Sequence, residues 1–174
     1  MIPVSIETLA IGWLPQPSVI TLRPANAEGA ELADDRVLPI CVGPTEATAI
    51  AAALDSVHNE RPLTHATANN LLQAAGGSII RAVIDRVEGT TFYATIYVRC
   101  GNGLFTRVDS RPSDAIALAI CADKPLFVEE AVMEAASNPR ALGGPGAEKQ
   151  VELEEFHKFI EGLNPDDFVK NEDH

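Results

Sequence analysis

The segment from Glu88 to Ser110 constrains the fold more than any other. Phe92, Ala94, Ile96, Val98 and Cys100 alternate with Tyr93, Thr95, Tyr97 and Arg99. That is the period-two pattern of a strand with one buried face and one exposed face. Glu88-Gly89-Thr90 before it and Gly101-Asn102-Gly103 after it carry turn chemistry, and β-rich runs, Ser78 to Val87 and Leu104 to Ser110, lie beyond both turns. Such a chain builds an antiparallel meander. Closing the second turn sets Arg99, Tyr97 and Thr95 opposite Phe105, Arg107 and Asp109. Closing the first sets Tyr97 opposite Arg81 and Tyr93 opposite Asp85. One sheet face then shows Arg81, Asp85, Tyr93, Thr95, Tyr97, Arg99, Phe105, Arg107 and Asp109. A register slip of one residue would turn each of them to the other face.

The rest of the chain supplies further strands and the helices to cover them. Ile2, Val4, Ile6 and Thr8 alternate with polar residues, and Val19 to Leu22 and Val37 to Val42 read as two more strands around a polar loop, Ala25 to Asp35. Pro44 opens a helix with Ala47, Ile50, Ala51, Leu54 and Val57 at helical spacing. A second helix runs from Thr64 to Ala75 and stops at Gly76-Gly77. Pro112 starts a third, Ser113 to Ala122, apolar almost all round and therefore buried. A short strand, Pro125 to Val128, and a weak helix to Ala136 follow. The expected class is α+β, a mostly antiparallel sheet or meander packed with a few helices, over residues 1–136. Residues 137–147 read as a linker. Residues 148–174 read as an acidic helix and tail, with Phe156, Phe159, Ile160 and Leu163 on one face.

Composition narrows the setting. Cys41, Cys100 and Cys121 are an odd set without CxxC spacing, so buried reduced thiols and a reducing cytoplasm are expected. No stretch reaches the ~20 apolar residues that cross a bilayer, and the first residues lack the basic start of a signal peptide; no membrane association is expected. The net charge of −12 opposes simple nucleic-acid binding. Half of it, −6, falls in residues 148–174. Residues 78–111 form the one locally basic stretch, with Arg81, Arg86, Arg99, Arg107 and Arg111 against Asp85, Glu88 and Asp109. Arginines interleaved with Tyr93 and Tyr97 are what a single-stranded nucleic-acid surface uses for charge and stacking. An ordinary solvated face, or an oligomer interface rich in Tyr and Arg, has the same composition.

Two helix starts carry chemistry. In Arg111-Pro112-Ser113-Asp114, Pro suits the first helical position and Ser and Asp suit the free N–H groups; Arg111 beside a helix N-terminus makes an anion site for phosphate. In Arg61-Pro62-Leu63-Thr64-His65, Thr64 reads as a cap, and His65 as a general base, a metal ligand or an ordinary hydrogen-bonding residue. Asp85 and Asp109 flank the central strand, too far apart at the backbone for a two-metal pair unless their side chains converge. Glu46 lies in the first turn of its helix, where a carboxylate also serves the helix dipole.

Leu38-Pro39-Ile40-Cys41-Val42-Gly43-Pro44-Thr45-Glu46-Ala47, Arg61-Pro62-Leu63-Thr64-His65, Gly89 to Ala94 and Asp109-Ser110-Arg111-Pro112-Ser113-Asp114-Ala115-Ile116-Ala117-Leu118-Ala119 together resemble the bifunctional nuclease domain family in order and spacing. The likeness covers residues 1–135. It departs at Ala66, where the family often has Asp, and in the acidic tail, which does not resemble the C-terminal module of some relatives. The resemblance implies an α+β fold, oligomeric assembly, and DNase and RNase activity as in some members.

The expectation is therefore a nuclease-like phosphodiesterase acting on DNA or RNA. Arg111, Asp114, Asp109 and His65 are its catalytic candidates, and Arg81, Tyr93, Tyr97, Arg99 and Arg107 its nucleic-acid contacts. A divalent metal, Mg or Mn, would fall to Asp85, Asp109, Asp114 or Glu46. Self-association, a dimer before larger assemblies, is expected. The alternative is a non-catalytic homo-oligomeric binding or regulatory protein.

Overall fold

The computed structural model describes residues 1–12, 17–25, 35–54 and 61–139. They belong to one compact unit, Met1–Pro139. The acidic helix, the linker beyond Pro139 and Val57 lie outside the described residues. The elements are β1 (Ile2–Ala10), β2 (Ser18–Pro24), β3 (Arg36–Val42), α1 (Pro44–Leu54), α2 (Thr64–Ala74), β4 (Ser78–Glu88), β5 (Thr91–Arg99), β6 (Phe105–Ser110), α3 (Pro112–Cys121), β7 (Leu126–Val128), α4 (Glu130–Ala136) and β8 (Asn138–Pro139). The strands form one sheet in the order β6-β5-β4-β7-β1-β2-β3-β8. Every described pairing is antiparallel except β4 with β7. The architecture is the expected α+β one.

Register explains why the helices gather on one side. Across the sheet, Ala94, Ile84 and Val128 are paired in turn, as are Val108, Ile96, Ala82, Leu126 and Val4. Leu22 and Leu38, and Ile20 and Ile40, continue the same face through β2 and β3. These residues, apart from Val108 on the edge strand, join Ala47, Ile50, Ala115, Ile116, Ala119, Val132 and Met133 of the helices in a single buried cluster. The other face carries Thr95, Val83, Phe127 and Pro3 in one row, and Arg107, Tyr97 and Arg81 in the next. Helix α3 is the keystone of the covered side and packs on α1, α2, β4 and β5. Pro112, Ser113, Ala115, Ile116, Ala117 and Ala119 are all buried there, as its nearly uniform apolarity required.

The meander matches its expected register at the second hairpin and departs from it at the first. Arg99 lies opposite Phe105, Tyr97 opposite Arg107 and Thr95 opposite Asp109. Tyr97 lies opposite Arg81, but Tyr93 lies opposite Arg86, not Asp85. The hairpin turns on two residues, Gly89 and Thr90, and a bulge between Ile84 and Arg86 takes up the difference. Gly89 has φ +59°, a conformation that glycine adopts without Cβ strain. The bulge re-aims Asp85, whose carboxylate accepts a hydrogen bond from Thr95 Oγ1. The second turn is tied to α2: a Cβ on Gly101 would come within 2.7 Å of the Ala75 carbonyl oxygen.

All three cysteines are free thiols, but they are not all buried: Cys41 is exposed and Cys100 and Cys121 are half-buried. Cys41 falls between Ile40 and Val42 on β3 and so points away from the core. Asn138–Pro139, at the start of the expected linker, pairs with Arg36 and Val37.

Candidate functional site

Helices α1, α2 and α3 begin at one cleft of about 650 Å³, lined by Pro44, Thr45, Glu46, Thr48, Ala49, Leu63, Thr64, His65, Arg111 and Asp114. Each start has a local cause. Pro44 and Pro112 are first helical residues, where a fixed φ fits and the missing N–H costs nothing. Arg61-Pro62-Leu63 leads into α2 in extended form, with Leu63 at φ −72°, ψ 170°. A helix start leaves N–H groups without partners and carries a partial positive charge. Three of them therefore make the cleft a place for acidic side chains or for an anion.

Arg111 is the residue that joins the three starts. It occupies the N-cap position of α3 in extended conformation, φ −71°, ψ 152°. Its Nη1 donates to Glu46 Oε1 on α1 at 2.9 Å. Its Nε and Nη2 donate to Asp114 Oδ2 and Oδ1 at 2.9 and 3.2 Å, the forked geometry that suits guanidinium and carboxylate. Asp114 Oδ1 also meets His65 Nε2 on α2 at 3.2 Å. The other ring nitrogen of His65, Nδ1, is buried and has no hydrogen-bond partner among the described residues. The result is a continuous chain, Glu46–Arg111–Asp114–His65.

The capping roles expected from the sequence are not the ones filled. Thr64 is the first helical residue, Leu63 holds the N-cap position, and no side chain caps α2. Neither Ser113 nor Asp114 caps α3. A charge-assisted forked bond to Arg111 is stronger than a bond to a neutral N–H, so the Asp114 carboxylate turns to Arg111 and His65, and Ser113 is buried.

Ionisation follows from these contacts. The Arg111 guanidinium holds the Asp114 carboxyl below the usual carboxylate value, and the His65 hydrogen bond adds to this against partial burial. Glu46 is lowered as well, first by its own main-chain N–H and then by Arg111. Arg111 itself is raised by Asp114 and then by Glu46. A depressed carboxyl stabilises the fold above its unfolded value, about 3.9 for Asp, and loses that contribution as pH falls through the folded value. Asp114→Asn should therefore lower the melting temperature at neutral pH and flatten its fall below about pH 4. Melting curves of wild type and variant that run parallel from pH 6 to pH 2 would contradict the pairing.

The remaining candidates lie elsewhere. Asp109 is not in the cleft; it faces Thr95 across β5 and β6 on the open side of the sheet. Asp85 lies on the other flank of Thr95. Of the metal candidates, Glu46 and Asp114 are both engaged by Arg111. Among the described residues, no group of three or more His, Cys, Asp or Glu is placed to hold a metal. On the open face, the Arg81 and Arg107 guanidinium groups lie 4.2 and 5.4 Å from the Tyr97 ring centre. Arg86 lies 4.1 Å from that of Tyr93. Arg99 is exposed beside Phe105. Arg81, Arg86 and Arg107 thus stack on the tyrosines of their own sheet.

Sequence reasoning missed that Glu46 is the partner of Arg111, 65 positions away. It also missed that His65 and Asp114, 49 positions apart, form a pair. One signal was present. Three helices begin at Gly43-Pro44, Arg61-Pro62 and Arg111-Pro112, and each has an acid or a histidine in its first turn.

Comparison with known proteins identifies the family. The bifunctional nuclease domain matches residues 30–141, a span that contains all four members of the Glu46–His65 chain. Two uncharacterized proteins of Mycobacterium tuberculosis, from strains CDC 1551 / Oshkosh and ATCC 25618 / H37Rv, are each 36% identical to this chain over 155 residues. The match covers 86% of this chain and 87% of each relative.

Proposed function

Since the chain belongs to the bifunctional nuclease domain family, we propose that it hydrolyses phosphodiester bonds of DNA or RNA in the cleft at the three helix starts. The observation that carries this reading is the His65–Asp114–Arg111 chain, a histidine held by a carboxylate beside an arginine. Arg111 exchanges part of its bond to Glu46 or Asp114 for a phosphate oxygen and neutralises the charge that grows there. The N–H groups at the starts of α2 and α3, which no side chain caps, support the same oxygens. His65 takes a proton from the attacking water at Nδ1, and Asp114 stabilises the imidazolium through Nε2. The water oxygen bonds to phosphorus as the bond to the leaving oxygen breaks, and solvent protonates that oxygen. Nδ1 is covered in the free chain, so substrate entry must shift the start of α2.

A divalent metal does not fit this donor set well, because both cleft carboxylates are taken by Arg111; none of these steps runs through one. Hydrolysis of labelled single- and double-stranded DNA and RNA by highly purified protein, with and without EDTA, tests the reading. Absence of cleavage on every substrate would reject it, and loss on chelation would place a metal in the reaction.

The open face is the proposed binding surface. Its bases would stack on guanidinium planes already backed by Tyr97 and Tyr93. Arg99→Ala with Arg107→Ala should weaken binding of a single-stranded oligonucleotide and flatten its dependence on salt, since the slope falls by about one for each phosphate that is no longer neutralised. Unchanged affinity and slope in the double variant, measured by anisotropy across a salt series, would remove the surface from the proposal. Free thiols support a cytoplasmic setting.

One observation favours the second reading, a non-catalytic homo-oligomeric binding protein. The cleft's charges are already matched to one another, and Nδ1 of His65 is shut in. On that reading the chain of four residues locks the helix starts together and cleaves nothing.

A further inference from the structure

The outer edge of β6 bears a pattern that specifies its own partner. β6 is the last strand on its side of the sheet, and no described strand pairs with its outer edge. It is six residues long, and an edge of this kind is a template for another strand unless it is blocked. Phe105 and Val108 on it are 75% and 46% exposed.

The hydrogen-bond phase of the hairpin fixes which groups face out. Cys100 N–H donates to the Leu104 carbonyl at 2.7 Å. Bonded pairs recur at every second position, so Val98 with Thr106, Ile96 with Val108 and Ala94 with Ser110 share the inward bonds. The N–H and C=O groups of Phe105, Arg107 and Asp109 therefore point away from β5. Two copies of β6 related by a two-fold axis can pair antiparallel through these groups. A two-fold on Arg107 sets Arg107 against itself, and like charges directly opposite are destabilising. A two-fold on Val108 sets Arg107 against Asp109 of the second copy, and Asp109 against its Arg107. Thr106 then faces Ser110, and Val108 meets Val108 on the helix side with Cα atoms about 4.5 Å apart.

We infer that the chain forms a homodimer by antiparallel pairing of β6 with β6, centred on Val108 and selected by the two Arg107–Asp109 pairs. The sheets of the two copies become one, and their open faces adjoin. This inference is independent of whether the cleft cleaves nucleic acid.

The test uses the full chain. Sedimentation should show dimer at concentrations of roughly micromolar and above, the weak end of the range for specific interfaces. Arg107→Asp should shift it to monomer, and Arg107→Asp with Asp109→Arg should restore the dimer, because the pairs are only exchanged. Val108→Cys should oxidise to a disulfide-linked dimer on non-reducing gels, as the expected spacing lies within disulfide reach. Thr106→Cys, whose counterpart is Ser110, should remain at the wild-type level. A monomeric wild type, a double swap that stays monomeric while folded by circular dichroism, or a Val108→Cys that links no better than Thr106→Cys would each overturn it.

Discussion

Arg111→Ala is expected to reduce phosphodiester hydrolysis by about 10²–10³-fold, the usual loss when one group aimed at a developing oxyanion is removed. Arg111→Lys should recover only part of it, since an ammonium cannot span Glu46 and Asp114 in the forked geometry seen for the guanidinium. The loss should appear without unfolding. The Arg111 side chain is 65% exposed, and exposed ion pairs contribute little to stability. Circular dichroism alongside the rate separates the two effects. A folded Arg111→Ala protein that cleaves at the wild-type rate would take the arginine out of the chemistry. One that unfolds would support the structural role of the second reading.

The largest effect on stability is expected at Ile116. It is fully buried in the middle of α3, within the cluster that joins that helix to the sheet. Ile116→Ala removes its outer methyl groups and leaves a cavity that a layer of alanines and strand residues fills poorly. The cost should be about 2–5 kcal/mol, read as a lower urea midpoint with an unchanged slope. Because Arg111 and Asp114 flank the first turn of the same helix, nuclease activity at low temperature should survive while the fold does. A loss below about 1 kcal/mol would mean that α3 is held mainly by its N-terminal contacts rather than by burial.

Much of the fold was legible because its signals are local. The alternation from Phe92 to Cys100, the turns around Gly89 and Gly103, and the Pro-marked helix starts each depend on residues close in sequence. The second hairpin kept its expected register because nothing interrupts β5 or β6. The first was misjudged at Tyr93 because a bulge at Asp85 leaves no mark in the polar–apolar pattern. The burial of Cys41 was misjudged for a related reason. In the apolar run Val37 to Val42, residue type does not tell which side of the strand faces the helices.

The candidate site was legible in its residues and not in its connections. Arg111, Asp114 and His65 could be named from chemistry, and Glu46 only as a metal candidate. Their assembly depends on α1, α2 and α3 starting side by side, which is set by packing over the sheet. The same gap explains Asp109. Two positions before Arg111 in sequence, it sits on the open face instead, because β6 ends between them.

On the proposed mechanism His65, held by Asp114, moves the proton in phosphodiester cleavage. Chemical rescue reports on that proton transfer. Highly purified His65→Ala should lose activity by about 10²–10⁴-fold, the range for removing a general base, and added imidazole should restore part of it in proportion to its concentration. Imidazole should have no such effect on wild type or on Arg111→Ala. A His65→Ala protein that cleaves like wild type, or one that is inactive and indifferent to imidazole, would contradict the claim.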